Sequence, residues 1–166
     1  MPLFVHLAPE SSVARIRRGG ISRLRKSHAD FPGGVFAVPV TRNFYLSHQW
    51  LRELKRRGAG PIAAVYFRIG DDEQVWVGYY NQAHRWMTAA QAAAEFMAND
   101  NREGWEVIIP RRIQANEIHR VRKLRQIFGW RYYPGAHGRR PCPCSYCTRG
   151  SYGAASIRRR LGDDDR

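Results

Sequence analysis

Strand-like runs and helix-like spacing alternate along the chain. Residues 3–7, LFVHL, form a compact apolar run that contains His6 and predicts a first strand. APESSVARIRRGGI follows, in which Ser11 or Ser12 can cap a short helix with an apolar edge of Val13 and Ile16, ended by Gly19-Gly20. GGVFAVPV at 33–40 reads as a second strand. Thr41 then stands as the cap of a longer helix, RNFYLSHQWLRELKRRG, whose Phe44, Leu46, Trp50, Leu51 and Leu54 keep roughly helical spacing as far as Gly58. PIAAVYFRI at 61–69 and EQVWVGYY at 73–80 flank Gly70-Asp71-Asp72, which predicts a hairpin or a neighbouring pair. Thr88 opens TAAQAAAEFMA, with Gln91 three residues on to complete a capping box.

NREGWEVIIPRRI comes next. Its β-branched run closes at Pro110 and predicts a short buried strand. Alternation puts Trp105, Val107 and Ile109 on one face, with Glu106 and Ile108 on the other, so Glu106 points into solvent, into a cleft, or toward a partner of opposite charge. IHRVRKLRQIF continues in extended or mixed form. Strands and helices interleave without regular βαβ repeats, and the expected class is α+β with a mixed sheet.

At 166 residues and 43% hydrophobic content, one core is expected. The division read from the sequence is a main domain at 1–129, an appendage at 130–155, and a charged tail at 156–166 expected to be disordered. A formal net charge of +14 is self-repulsion that a polyanion or an acidic partner would relieve, and nucleic acid is the first such partner to expect. An anionic membrane fits less well, because the cations are spread along the chain and no basic amphipathic helix stands out. No stretch reaches the length of a spanning helix, and MPLFVHLAPE lacks the basic start and long apolar run of a signal peptide, so a cytoplasmic location is expected.

All three cysteines, Cys142, Cys144 and Cys147, fall within six residues, an odd number too closely spaced for a disulfide framework. With His137 upstream, they place four soft or borderline ligands in one Gly- and Pro-rich loop. That set suits tetrahedral, structural Zn2+. His119 or another element could supply the fourth ligand instead, and three reduced surface thiols are the plainer alternative. Trp130, Tyr132, Tyr133 and Tyr146 interleave with Arg131, Arg139, Arg140 and Arg149, a mixture able to stack bases and neutralise phosphates, or to form an ordinary charged surface.

Several of these pieces resemble one known arrangement. His6 in the first strand, then a short helix and GGI, then GVFAVP leading to a helix with Tyr45, and finally WEVIIP, resemble the ADP-ribosyltransferase fold in its histidine–tyrosine–glutamate branch. The resemblance covers roughly residues 3–127. HLAPESSVARIRRGGI and EVIIPRRIQANEI also look like the opening and the catalytic strand of DarT-type nucleic-acid ADP-ribosyltransferases. It implies an NAD cleft in which His6 bonds the adenosine-side ribose, Tyr45 packs on the nicotinamide and Glu106 carries the catalysis. Phe36 matches the family's first aromatic but can only stack, and Arg42 lies near enough in sequence to reach a pyrophosphate.

The chemistry of such a transfer needs a carboxylate. Breaking the nicotinamide–ribose bond builds positive charge on the sugar, and an anion at the 2′-hydroxyl favours that oxocarbenium-like state. Each residue also has an ordinary reading: His6 as a satisfied core histidine, Tyr45 as core, Glu106 as a solvated strand end. Tyr79, Tyr80, His84 and Trp86 form a polar-aromatic segment that could line the cleft or cap the sheet. Three functions fit: an NAD-dependent transferase acting on DNA or RNA, a non-catalytic zinc-containing nucleic-acid-binding protein on the same scaffold, or a transferase acting on protein.

Overall fold

A computed structural model describes residues 1–24, 33–56, 60–80 and 82–126. The elements in chain order are β1 (Leu3–Pro9), α1 (Val13–Gly19), β2 (Val35–Pro39), α2 (Phe44–Ser47), α3 (Leu51–Arg56), β3 (Ile62–Arg68), β4 (Gln74–Tyr79), β5 (Arg85–Thr88), α4 (Ala89–Ala98), β6 (Trp105–Ile109) and β7 (Ile118–Lys123). Short 3-10 turns at Glu10–Ser12 and Ala115–Glu117 precede α1 and β7. The class is α+β, built on a seven-stranded sheet in the order β5-β4-β6-β2-β1-β3-β7. Among the described residues no helix is long and apolar enough to cross a membrane.

The sheet is antiparallel, where the sequence suggested a mixed one: every pairing between neighbouring strands is antiparallel. Helical connections do return the chain in its original direction, from β2 to β3 and from β5 to β6. Each of them steps over one strand, β1 or β4, and the strand stepped over runs the opposite way. The interleaving legible in the sequence is real, but it produces no parallel neighbours.

Two local expectations also need correction. β3 and β4 form no hairpin, because β1, β2 and β6 lie between them. The Gly70-Asp71-Asp72 turn carries the chain toward the opposite side of the sheet instead. Its polar groups are used elsewhere: the Asp71 carboxylate holds the N-terminal ammonium at 2.8 Å, and the Asp71 and Glu73 carbonyls accept from Ala90 and Ala89. The hairpin partner of β4 is β5, in the YYNQAHRWM segment. The long helix expected from Thr41 is split into α2 and α3. Its cap is Asn43, whose side chain accepts from the amides of Tyr45 and Leu46, while Thr41 donates to the Asn43 carbonyl. The break falls where His48 and Gln49 donate side-chain N–H groups back to the carbonyls of Phe44 and Leu46, competing with the helical ladder.

Other readings match. Thr88 and Gln91 close a capping box on α4. Gly20 ends α1 at φ 79°, and a Cβ there would run into the carbonyl of Ile113, beside the Ile21–Ile113 bridge. β6 begins at Trp105 and ends at Ile109, and all five of its residues are buried. It lies between β4 and β2, with both faces covered. Phe96 of α4 packs against Trp105 on one face. On the other, the α2–α3 junction reaches the sheet through His48, whose Nε2 accepts from the Tyr66 hydroxyl at 2.7 Å.

Just past β6, Arg111 forks between two carboxylates. It bonds Glu73 at 2.6 and 2.8 Å and Glu117 at the same two distances, tying the end of β6 to the start of β4 and to the turn before β7. These bonds hold the guanidinium pKa above its ordinary value and keep Glu117 below the usual carboxylate range.

Candidate active site

Glu106 is the second residue of β6 and is only 9% exposed. Its cross-strand neighbour on β4 is Gly78. Continuing the β4–β5 register one step beyond Val77–Arg85 places His84 opposite the same glycine. Glycine has no side chain to fill that row, so the imidazole lies over it. A Cβ on Gly78 would stand 2.9 Å from the His84 Cγ and 3.0 Å from the Ala83 carbonyl oxygen. Across this slot the His84 Nε2 meets the Glu106 Oε1 at 3.1 Å, and the Nδ1 meets the Gln82 carbonyl at 2.9 Å. The His84 side chain is 1% exposed. Among the described residues nothing bonds the second oxygen of Glu106.

Beside this polar row runs an aromatic one on the same sheet face. Phe36 pairs with Ile108, Ile108 with Trp76, and Trp76 with Trp86. The indoles of Trp76 and Trp86 lie 4.2 Å apart between centroids, tilted by 34°, and Trp86 is left 47% exposed. Successive rows on one face are about 7 Å apart. A half-open aromatic shelf therefore borders the carboxylate.

The helices fix the approach to β6. Gln49 accepts from the amide of Gly104 at 2.6 Å and donates to the Arg102 carbonyl at 2.9 Å, while the Trp50 indole donates to the Trp105 carbonyl at 3.0 Å. The Tyr45 hydroxyl donates to Glu103 at 2.8 Å. Four bonds from one helical junction thus hold the segment that delivers Glu106.

His6 occupies another part of the sheet. The rungs between β1 and β2 are Phe4–Pro39 and Val5–Val38, and beyond them the imidazole of His6 reaches the Phe36 carbonyl with Nδ1 at 2.7 Å. Alternation puts His6 on the Phe4 and Ala37 side of the sheet, whereas Glu106 shares a face with Phe36, Val38 and Ile108. Burial lowers the His6 pKa, against the opposing effect of the Phe36 carbonyl. The neutral ring with Nδ1–H donated leaves Nε2 as an acceptor, and among the described residues it has no hydrogen bond.

The fold therefore joins His6 to Phe36, Tyr45 to the loop before β6, and Glu106 to a residue that the sequence had placed only in a polar-aromatic segment, His84. Tyr45 is buried at 3% exposure, and Arg42 is exposed on the loop before α2. The signal for His84 was present in Gly78: a glycine inside an otherwise β-rich strand marks a place where another group approaches closely.

His137, Cys142, Cys144 and Cys147, as well as Arg131, Arg139, Arg140 and Arg149, lie outside the described residues. Among the described residues no group of three or more His, Cys, Asp or Glu side chains is arranged to hold a metal. A basic surface is present within them: Arg17, His119 and Arg120 line an open groove beside β7, where His119 is the additional residue of a bulge opposite Tyr66 and Phe67. No family model, no curated protein and no solved structure matches the chain.

Proposed function

We propose that this protein is an NAD-dependent ADP-ribosyltransferase whose acceptor is nucleic acid, with Glu106 as the carboxylate at the reacting sugar. The observation that carries the reading is the state of that carboxylate. It is nearly buried on a central strand, one oxygen is held by His84, and the other has no bond among the described residues. An anion so placed suits a reaction in which positive charge develops on a ribose, because a fixed charge in a water-poor site costs no reorganisation when the bond breaks. The charge of +14 and the basic groove at Arg17 and Arg120 favour a phosphate-bearing acceptor.

Incubation with NAD and single- or double-stranded DNA, RNA or protein, followed by mass spectrometry, tests this directly. Nicotinamide release coupled to ADP-ribose on a nucleic acid is the expected result. Modification confined to protein moves the acceptor class, and no nicotinamide release with any acceptor overturns the reading.

The cysteine loop is proposed to hold a structural zinc through Cys142, Cys144 and Cys147, with His137 as the fourth ligand. Elemental analysis of protein purified without added metal is expected to give about one zinc per chain. Folded, reduced, metal-free protein would remove the site.

A further inference from the structure

We propose that His84 is the positioning residue for Glu106, seated by Gly78. This rests on the assignment of Glu106 to the transfer reaction, but its geometry stands separately. The two nitrogens of His84 both face acceptors, the Gln82 carbonyl and the Glu106 carboxylate. The bond between Nε2 and Oε1 carries one proton, on the ring or on the acid. In either form Oε1 is committed to the ring, which fixes the plane of the carboxyl group and leaves Oε2 to receive a sugar hydroxyl. A glutamate without this partner would sample several rotamers, and the reaction needs one.

Gly78 makes the arrangement possible. The Cγ and Cδ2 of His84 would lie 2.9 and 3.1 Å from a Cβ at that position, so even alanine displaces the ring. Electrostatics around the pair are set by elements on each side. Tyr80 follows β4, Arg85 on β5 is engaged with Glu95, and Glu103 before β6 accepts from Tyr45. None of these bonds the carboxyl of Glu106.

The test has two arms. In the first, the ring nitrogens of His84 are observed by nitrogen-15 NMR at neutral pH in the wild-type chain and in Glu106→Gln. A hydrogen-bonded Nε2 is expected in the wild type, with its signal changed in the variant. A His84 signal indifferent to Glu106→Gln overturns the proposal whether or not the chain turns over NAD. In the second arm, His84→Ala and Gly78→Ala are compared for nicotinamide release. Both are expected to lower kcat by about tenfold or more with the KM for NAD changed little, because an orienting bond is lost while Glu106 remains. His84→Gln, which can still donate to Oε1, is expected to recover part of kcat and to alter the pH profile. Unchanged kcat in His84→Ala, with Glu106→Gln inactive, sinks the role of His84 and leaves the transferase reading standing. Absence of turnover in the wild type sinks the transferase reading, and the NMR arm then decides the pairing alone.

Discussion

Glu106→Gln is expected to lower ADP-ribose transfer by about a hundredfold or more while NAD still binds, since one well-placed electrostatic partner typically contributes that much to a transition state. Glutamine keeps the shape of the side chain and can still bond His84 through its amide, so the change removes charge and little else. β6 is fixed by its ladders to β2 and β4 and by the bonds that Gln49 and Trp50 make to the preceding loop, none of which uses the carboxylate. Thermal unfolding should therefore move little, and retained helical and sheet signals would separate a catalytic loss from an unfolded variant. Full transfer activity in Glu106→Gln would falsify the assignment.

Acid is expected to destabilise the chain well before its carboxylates are neutralised. His48 is 2% exposed, and its pKa falls from 6.5 to about 4, chiefly through burial. The Phe44 carbonyl opposes that shift, while Arg120 and Arg122 add to it. The neutral ring donates from Nδ1 to Phe44 and accepts at Nε2 from Tyr66. In the unfolded chain His48 takes a proton near pH 6.5, and in the folded chain it does not until about pH 4. The stabilisation that this residue contributes is thus complete above pH 6.5 and is lost as the pH falls toward 4. At about 1.4 kcal/mol per pH unit the loss reaches about 3 kcal/mol. His6, lowered by burial, acts in the same direction. Glu117, held below its ordinary 4.5 by Arg111, yields its share only at still lower pH. Denaturant unfolding at intervals from pH 7 to 4 measures the slope. His48→Gln, which does not titrate, should flatten most of it, and an equally steep acid limb in that variant would place the cause elsewhere.

The elements themselves were largely legible. β6 was readable from β-branched residues closed by a proline, α4 from Thr88 and Gln91, and the end of α1 from a glycine pair, because each depends on neighbours in sequence. What depended on the sheet order was not. Nothing local in PIAAVYFRIGDDEQVWVGYY says that its two strands belong on opposite sides of the sheet, and a hairpin is the natural reading of such spacing. The split of α2 from α3 needed the side chains of His48 and Gln49 to compete for carbonyls, which composition does not disclose. Glu106 was singled out as a candidate from its place at a strand opening, and the structure places it as the second residue of β6. Its partner His84 was not, since the pairing spans three strands and exists only because Gly78 leaves the middle one bare.

The position of β6 also has a consequence for how the molecule is made. It is the one strand that joins the β5–β4 hairpin to the group β2-β1-β3-β7, and it follows both β2 and β4 in the chain. During synthesis, β2 and β4 each emerge with an open edge that only residues 105–109 can close. A nascent chain halted before that point carries two unpaired, apolar strand edges, the form most prone to associate with other chains or to require a chaperone. The carboxylate on which the proposed chemistry depends arrives in the same five residues. A ribosome-bound fragment ending short of residue 105 therefore lacks both the strand that joins the two parts of the sheet and Glu106, and both are acquired in one insertion.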